Sequence, residues 1–370
     1  MKLLIVTHHY LHGNGGGVYA SRSFINAAAC LAEEVTLLCP VSGTDVPEEI
    51  DPRVRQVRVA YDVPKWRKAL DLVLGRIHRF GGVLERTLSE GDYDEVLFDT
   101  CYPTFRMLDA VRRKGCRIVT VHHNCQYEYA RDSYAFPVRP LMLFWLRRCE
   151  RQAVRGSDLN LTLTPEDREI LYRRYDPGRK ARIEVVGVHA YKPETLPEPA
   201  CVPEPVFIIT GNLGAKQNED SLLPWLDRYY PLLKERIPEA TLLVAGLAPS
   251  ERLSARCRAL GVELVDSPAD MQPVLRRARY YVCPTDRGGG IKLRILDGLR
   301  NGLPVLAHEV SARGYAPFRD DTLFAYSDPD SFRAALEALL SARPDPAEVQ
   351  ARYRELFSFE SCVDKLSKYL

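Results

Sequence analysis

Short apolar runs alternate with helical stretches along the whole chain, and five prolines break the series once. Leu3-Leu4-Ile5-Val6 leads into a polar, glycine-rich loop and then a helical stretch from Ala20 to Leu31. Val35 to Leu38, Glu95 to Phe98, Arg117 to Val121 and Leu159 to Leu163 continue the alternation. Strands without a polar face predict a parallel sheet covered by helices on both sides. Between His189 and Pro205 stand Pro193, Pro197, Pro199, Pro203 and Pro205, which neither a helix nor a central strand accepts. The pattern restarts at Val206 to Thr210 and returns at Thr241 to Ala245, Val262 to Val265, Tyr280 to Cys283 and Pro304 to Ala307. At 370 residues the chain exceeds what one core usually holds. The fold class is therefore α/β, with two doubly wound, Rossmann-like domains. The expected limits are 1–188, a linker over 189–205, 206–345, and terminal helices over 346–370 that pack back on the first domain. Open α/β sheets bind ligands outside their strand carboxyl ends, which predicts a site in a cleft between the domains.

Composition narrows the function. With 46% hydrophobic and 27% charged residues, disorder and a disulfide-dense mini-fold are excluded. Fifty-one Lys and Arg against 49 Asp and Glu leave +2, too balanced for a nucleic-acid coat. No two of the ten cysteines are separated by two residues, so they read as buried thiols of a reducing compartment, with neither a zinc ribbon nor a redox pair. His8-His9-Tyr10 interrupts the first apolar run, and no run is long enough to span a membrane, so the chain is expected in the cytoplasm.

The most informative stretch is Arg287-Gly288-Gly289-Gly290-Ile291-Lys292-Leu293-Arg294-Ile295-Leu296-Asp297-Gly298-Leu299, followed by Asn301-Gly302-Leu303-Pro304-Val305. A strand ends at Cys283, three glycines expose backbone amides, and a helix is expected from about Ile291, so amides and a positive dipole end converge where a diphosphate would bind. Lys292 adds a point charge there. Arg294 and Asp297 share a helix face, and the Asp297 carboxylate can accept from two sugar hydroxyls. A solvated ion pair beside a tight turn is the bland alternative, and the Asn-Gly helix stop feeding a buried strand weighs against it.

These residues, with Pro284, Gly211-Asn212-Leu213 and Asn218, resemble the retaining glycosyltransferase family 4 type of the two-domain GT-B fold. The resemblance implies transfer of a sugar from a nucleotide-diphosphate donor to a hydroxyl of a glycan or lipid-linked glycan, with retention and without an essential metal. Cell-surface polysaccharide or glycoconjugate synthesis is the implied setting. The family holds donor sugar and ribose with two acidic residues eight positions apart. Asp297 takes the second place, and Gly289 stands in the first. Gly211, Asn212 and Lys216 fall where the family meets the donor, joining Gly288, Gly289, Gly290, Ile291, Lys292, Arg294 and Asp297 as donor-site candidates.

In the first domain, Gly13-Asn14-Gly15-Gly16-Gly17-Val18 is not a dinucleotide fingerprint, since no further glycine follows at the required spacing. It resembles the family's glycine loop, which implies Gly16 and Gly17 at the reacting groups and Gly15 near the acceptor. Val121-His122-His123-Asn124 follows a strand and resembles the family's His-Asn stretch. This implies His123 as the catalytic histidine and His122 and Asn124 as acceptor contacts. Paired histidines also suit a metal or a plain strand end, although no neighbouring carboxylate or cysteine spacing supports a metal. His8 and His9 are weaker candidates, and Asp99, Glu128 and Asp132 are the acids near this edge. A nucleotide-sugar 2-epimerase of the same fold, or a non-catalytic nucleotide-sugar-binding partner of another transferase, are the alternatives.

Residues 65–80 hold five basic residues, one acid and an apolar stripe at helical spacing, and Arg139 to Arg148 is a second basic, aromatic stretch. Both suit a peripheral contact with an anionic bilayer as well as packing on their own sheet.

Overall fold

The computed structural model describes residues 1–12, 15–41, 49–60, 64, 66–67, 70, 80–100, 105–134, 136–199, 202–288 and 290–370. Gly13, Asn14, Gly289 and most of the basic stretch 65–80 lie outside the described residues, as does the side chain of Asp132.

The chain forms two compact units, Met1–Glu194 with Phe357–Leu370, and Thr195–Leu356. The dividing line runs through the C-terminal tail. The helix Pro346–Phe357 falls almost wholly in the second unit, and the helix Phe359–Leu366 packs on the first unit's opening helix, Gly16–Leu31. Cys362 Sγ lies 3.3 Å from Ser23 Oγ in that contact.

In the first unit β1 (Lys2–Thr7), β2 (Glu34–Pro40), β3 (Arg55–Val59), β4 (Glu95–Asp99), β5 (Arg117–His122), β6 (Leu159–Thr162) and β7 (Ile183–Val185) form one sheet in the order β3-β2-β1-β4-β5-β6-β7. All its pairings are parallel. The second unit repeats the design with β8 (Val206–Asn212), β9 (Thr241–Leu247), β10 (Glu263–Asp266), β11 (Tyr280–Cys283), β12 (Val305–His308) and β13 (Leu323–Tyr326), ordered β10-β9-β8-β11-β12-β13. Each order reverses direction once, between β1 and β4 and between β8 and β11, which are the places where such sheets open toward a ligand.

The apolar runs become strands because both faces are covered: Leu3, Leu4 and Ile5, like Phe207, Ile208 and Ile209, are almost wholly buried. On one face of the second sheet, Phe207, Trp225, Tyr326 and Phe332 belong to one continuous core. Three strands escape the alternation signal, namely β3, β7 and β13, and all three are edge strands. An edge strand is short or polar on its open side, so Arg55-Gln56-Val57-Arg58-Val59 carries no apolar run to read. Among the described residues no helix is long and apolar enough to cross a membrane.

Candidate functional site

At the carboxyl ends of β1, β4 and β5 the first sheet gathers a polar cluster under its glycine loop. Asp99 ends β4 and is wholly buried. Its Oδ2 accepts from Thr7 Oγ1 at 2.7 Å, and its Oδ1 lies 2.7 Å from His123 Nε2. His9 Nδ1 lies 3.9 Å from Asp99 Oδ2 and 2.7 Å from Ser21 Oγ. Burial works to raise the Asp99 pKa, but the charge and hydrogen bond of His123, then His9 and Ser21, overcome it and hold the carboxyl at about 2.

An ionised Asp99 fixes the hydrogens of His123. Nε2 carries the proton that points at the carboxylate, so in the neutral ring Nδ1 is left as an acceptor. That Nδ1 is buried and has no hydrogen-bond partner among the described residues. A Cβ placed on Gly17 would lie 3.7 Å from it and 2.9 Å from His9 Cε1, so glycine is what lets the loop approach the two rings. Beyond it the helix Gly16–Leu31 begins without any side-chain cap, leaving first-turn amides open. Gly15 and Gly16 are exposed at this end. Arg22, buried inside the same helix, donates to Leu11 O and anchors the loop's other side.

Burial, then the like charge of His123, lower His9 to about 4 against the pull of Asp99. Burial likewise lowers His122 to about 4. His122 is wholly buried, with Nε2 2.9 Å from Asn160 Oδ1, so it is held in the sheet. Asn124 is half-buried, and its Oδ1 has no partner among the described residues. Glu128 is turned away into ion pairs with Arg131 and Arg174. His9, Asp99 and His123 each offer a ligand atom within 4.8 Å of one another. Sequence spacing does not reveal this grouping because the residues come from three strand ends.

Linkage gives this cluster a pH signature. Because the folded pKa of Asp99 is depressed, its stabilisation is present above the ordinary carboxylate pKa of ~4 and lost as pH falls toward 2. Its size is on the order of 2 kcal/mol. Urea unfolding of the wild type and Asp99→Asn is expected to show a stability gap at neutral pH that closes between these limits. A gap independent of pH would contradict the assignment.

The second sheet builds its site at the ends of β8 and β11. Gly211 has φ +153°, and a Cβ there would stand 3.1 Å from Arg294 Nη1, so the guanidinium lies directly on the strand-end backbone. Arg294 Nη2 donates to Asn218 Oδ1 at 2.6 Å, and Asn218 Nδ2 donates to Asn212 O at 2.8 Å. This relay ties the helix Arg294–Arg300 to the β8 loop. Gly288 (φ +85°) and Gly290 (φ +69°) turn the β11 loop, and Lys292 Nζ folds back to Gly288 O at 3.3 Å.

The helix begins at Arg294, not at Ile291 as the sequence predicts. The positive φ of Gly290 and the folded-back Lys292 keep Ile291 to Leu293 outside the helix, so Lys292 precedes the first helical turn. Asp297 is exposed on that first turn. Lys216 opens the helix Lys216–Arg228 as an 86% exposed side chain paired with Asp220 at 2.9 Å, which is the geometry of a surface ion pair. Thr7, Ser21 and Arg22 carry no sequence signal at all, since only packing brings them to the loop.

Two family models match the chain. "Glycosyltransferase Family 4" covers residues 14–187, and "Glycosyl transferases group 1" covers residues 204–342. An uncharacterized 44.6 kDa protein in the cps region of Klebsiella pneumoniae is 24% identical over 129 residues, 33% of each chain, so the match spans about a third of that relative. Among solved structures, the apo form of the lipopolysaccharide outer core galactosyltransferase WaaB matches with TM-score 0.70 and 14% identity over 100% of both chains. Anabaena HepE in complex with UDP and glucose matches with TM-score 0.64 and 13% identity over 100% of this chain and 98% of that one. The two parallel sheets with alternating helices are those of the GT-B fold.

Proposed function

Since the chain is a glycosyltransferase of the GT-B type, we propose that it moves a hexose, with retention, from a nucleoside diphosphate sugar to a hydroxyl of a glycan or lipid-linked glycan in cell-surface polysaccharide synthesis. The observation that carries the donor half is Arg294, laid on the Gly211 backbone beside a turn of open glycine amides. Such a cradle favours a diphosphate by charge and by shape. The UDP and glucose bound to HepE make UDP-glucose the first donor to try. The description of WaaB as a lipopolysaccharide outer core galactosyltransferase and the cps-region setting of the Klebsiella relative support the acceptor class.

In the reaction, the acceptor oxygen bonds to the anomeric carbon as that carbon's bond to the diphosphate oxygen breaks. The electron pair leaves with the nucleoside diphosphate, and the acceptor proton passes to the departing phosphate oxygen on the same sugar face. Arg294 and Lys292 stabilise the charge that grows on the diphosphate. Asp297 accepts from the ribose hydroxyls. His123 Nδ1 accepts from a hydroxyl of the reacting sugars and orients it, with Gly16 and Gly17 presenting backbone amides alongside.

The reading takes no metal. His123 Nε2 and Asp99 Oδ1 are 2.7 Å apart, closer than two ligands each ~2.0–2.2 Å from one tetrahedral ion would sit. A chelator is therefore expected to leave turnover unchanged. Loss of turnover that a divalent ion restores would reassign His9, Asp99 and His123 as metal ligands.

Calorimetry of the full chain against nucleoside diphosphates and their sugars tests the donor half, with Asp297→Ala as control. A base-selective ligand is expected, weakened in the variant. A folded protein that binds none of them would overturn the proposal. Turnover of the donor without an acceptor would instead point to an epimerase.

A further inference from the structure

The helix Gln126–Ser133 follows the His123-Asn124 segment directly, and Cys125 at its N-cap supplies no side-chain bond. Its opening amides are satisfied from further along the chain. Glu150 Oε1 accepts from Gln126 N at 2.6 Å and Glu150 Oε2 from Tyr127 N at 3.2 Å, while Asp167 Oδ1 accepts from Cys125 N at 3.1 Å. Two carboxylates thus hold three consecutive amides. Both are buried, Glu150 inside the helix Val138–Gly156 and Asp167 in the first turn of the helix Pro165–Tyr175.

These carboxylates are themselves held. Glu150 Oε2 also accepts from the Tyr175 hydroxyl at 2.6 Å, and Asp167 Oδ2 from Thr164 Oγ1 at 2.7 Å. A helix end alone needs none of this, because one Ser, Thr or Asp at the N-cap satisfies it locally. Burial raises the Glu150 carboxyl to about 7, against the lowering by the Tyr175 hydroxyl and the two amides. What the buried caps add is position. A local cap fixes a helix end only to its own chain segment, whereas carboxylates 24 and 42 residues further along fix it to two neighbouring helices, and with it the residues just before it.

Those residues are His123 and Asn124. On their other side His122 Nε2 lies 2.9 Å from Asn160 Oδ1 of the adjacent strand β6. Between the two anchors, His123 Nδ1 and Asn124 Oδ1 are buried and have no hydrogen-bond partner among the described residues. Backbone held on both sides, with two side-chain acceptors left over, suits a site that must meet a hydroxyl at a fixed place. Asp99 orients the His123 ring but does not hold the backbone that carries it.

We propose that Glu150, assisted by Asp167, is a positioning residue for sugar transfer, setting the backbone from which His123 and Asn124 reach the reacting hydroxyl. This role rests on the sugar-transfer reading.

Glu150→Gln and Tyr175→Phe, compared in the full chain, test it. The amide keeps the shape of Glu150 but turns an NH₂ toward one of its donors, whereas Tyr175→Phe removes a bond to the same carboxylate and leaves the three amides held. Both variants are expected to melt at lower temperature. In Glu150→Gln alone, kcat of the folded enzyme is expected to fall by about 10- to 100-fold with donor KM unchanged. In protein labelled with ¹⁵N-histidine, the ring signals that His123→Ala deletes are expected to shift in Glu150→Gln and to stay in place in Tyr175→Phe. Equal kcat in the two variants, or unmoved His123 signals in Glu150→Gln, would overturn the proposal. Should Glu150→Gln not fold, Asp167→Ala is expected to lower kcat in the same way, and wild-type kcat there would overturn it as well. A wild type that turns over no nucleotide sugar would count against the sugar-transfer reading, and the His123 signals would then decide the positioning by themselves.

Discussion

Asp99→Asn is expected to lower turnover by about 10³- to 10⁴-fold while donor affinity changes little. The carboxylate meets His123 Nε2 at 2.7 Å and so keeps the proton on that nitrogen. An amide can present its NH₂ to the ring instead, which moves the proton to Nδ1 and removes the His123 acceptor that faces Gly17. The packing scarcely changes, because the two side chains have nearly the same shape. A merely structural Asp99 would alter stability and leave the turnover of the folded fraction intact. Steady-state kinetics with donor and acceptor varied separately distinguishes the two, since a positioning role appears in kcat and not in donor KM. An Asp99→Asn variant with near-normal kcat would remove His123 Nδ1 from the mechanism.

Arg294→Ala is expected to act on the other half of the reaction. The guanidinium lies on Gly211 and bonds Asn218, so its loss opens the cradle and removes the cation nearest the strand-end backbone. A charge-assisted hydrogen bond contributes ~1.5–3 kcal/mol, which predicts donor binding weaker by about 10- to 100-fold. Charge on the leaving diphosphate grows in the transition state, so kcat/KM should fall further, by about 10³-fold. Arg294→Lys should recover part of the charge and little of the geometry, because a point charge cannot span both Asn218 and a phosphate. Unchanged nucleotide affinity in Arg294→Ala, measured by calorimetry, would move the diphosphate away from the Gly211 loop.

Legibility in the sequence followed burial. Central strands such as Leu3 to Val6 and Tyr280 to Cys283 announce themselves because both faces are covered and every position is apolar. The edge strands β3 and β7 do not, because β3 is half polar and β7 is only three residues long, whereas β13, Leu323-Phe324-Ala325-Tyr326, is an apolar edge run that the alternation reading passes over. The sequence places the start of the helix Arg294–Arg300 three residues early, since composition does not show that Gly290 takes φ +69° and Lys292 folds back on Gly288. Lys216 shows the same limit in a side chain: its position in the loop suggests a phosphate contact, and only the structure shows its surface ion pair with the i,i+4 neighbour Asp220.

The amino-acid sequence by itself determined the two parallel α/β units and the loops at their strand carboxyl ends, because those follow from local periodicity and from where glycine is spent. Only the tertiary structure decided which side chains work together. His9, Asp99 and His123 are far apart along the chain, and they meet because β1, β4 and β5 lie side by side in one sheet. Sheet order is a property of the whole folded unit, and no local pattern encodes it.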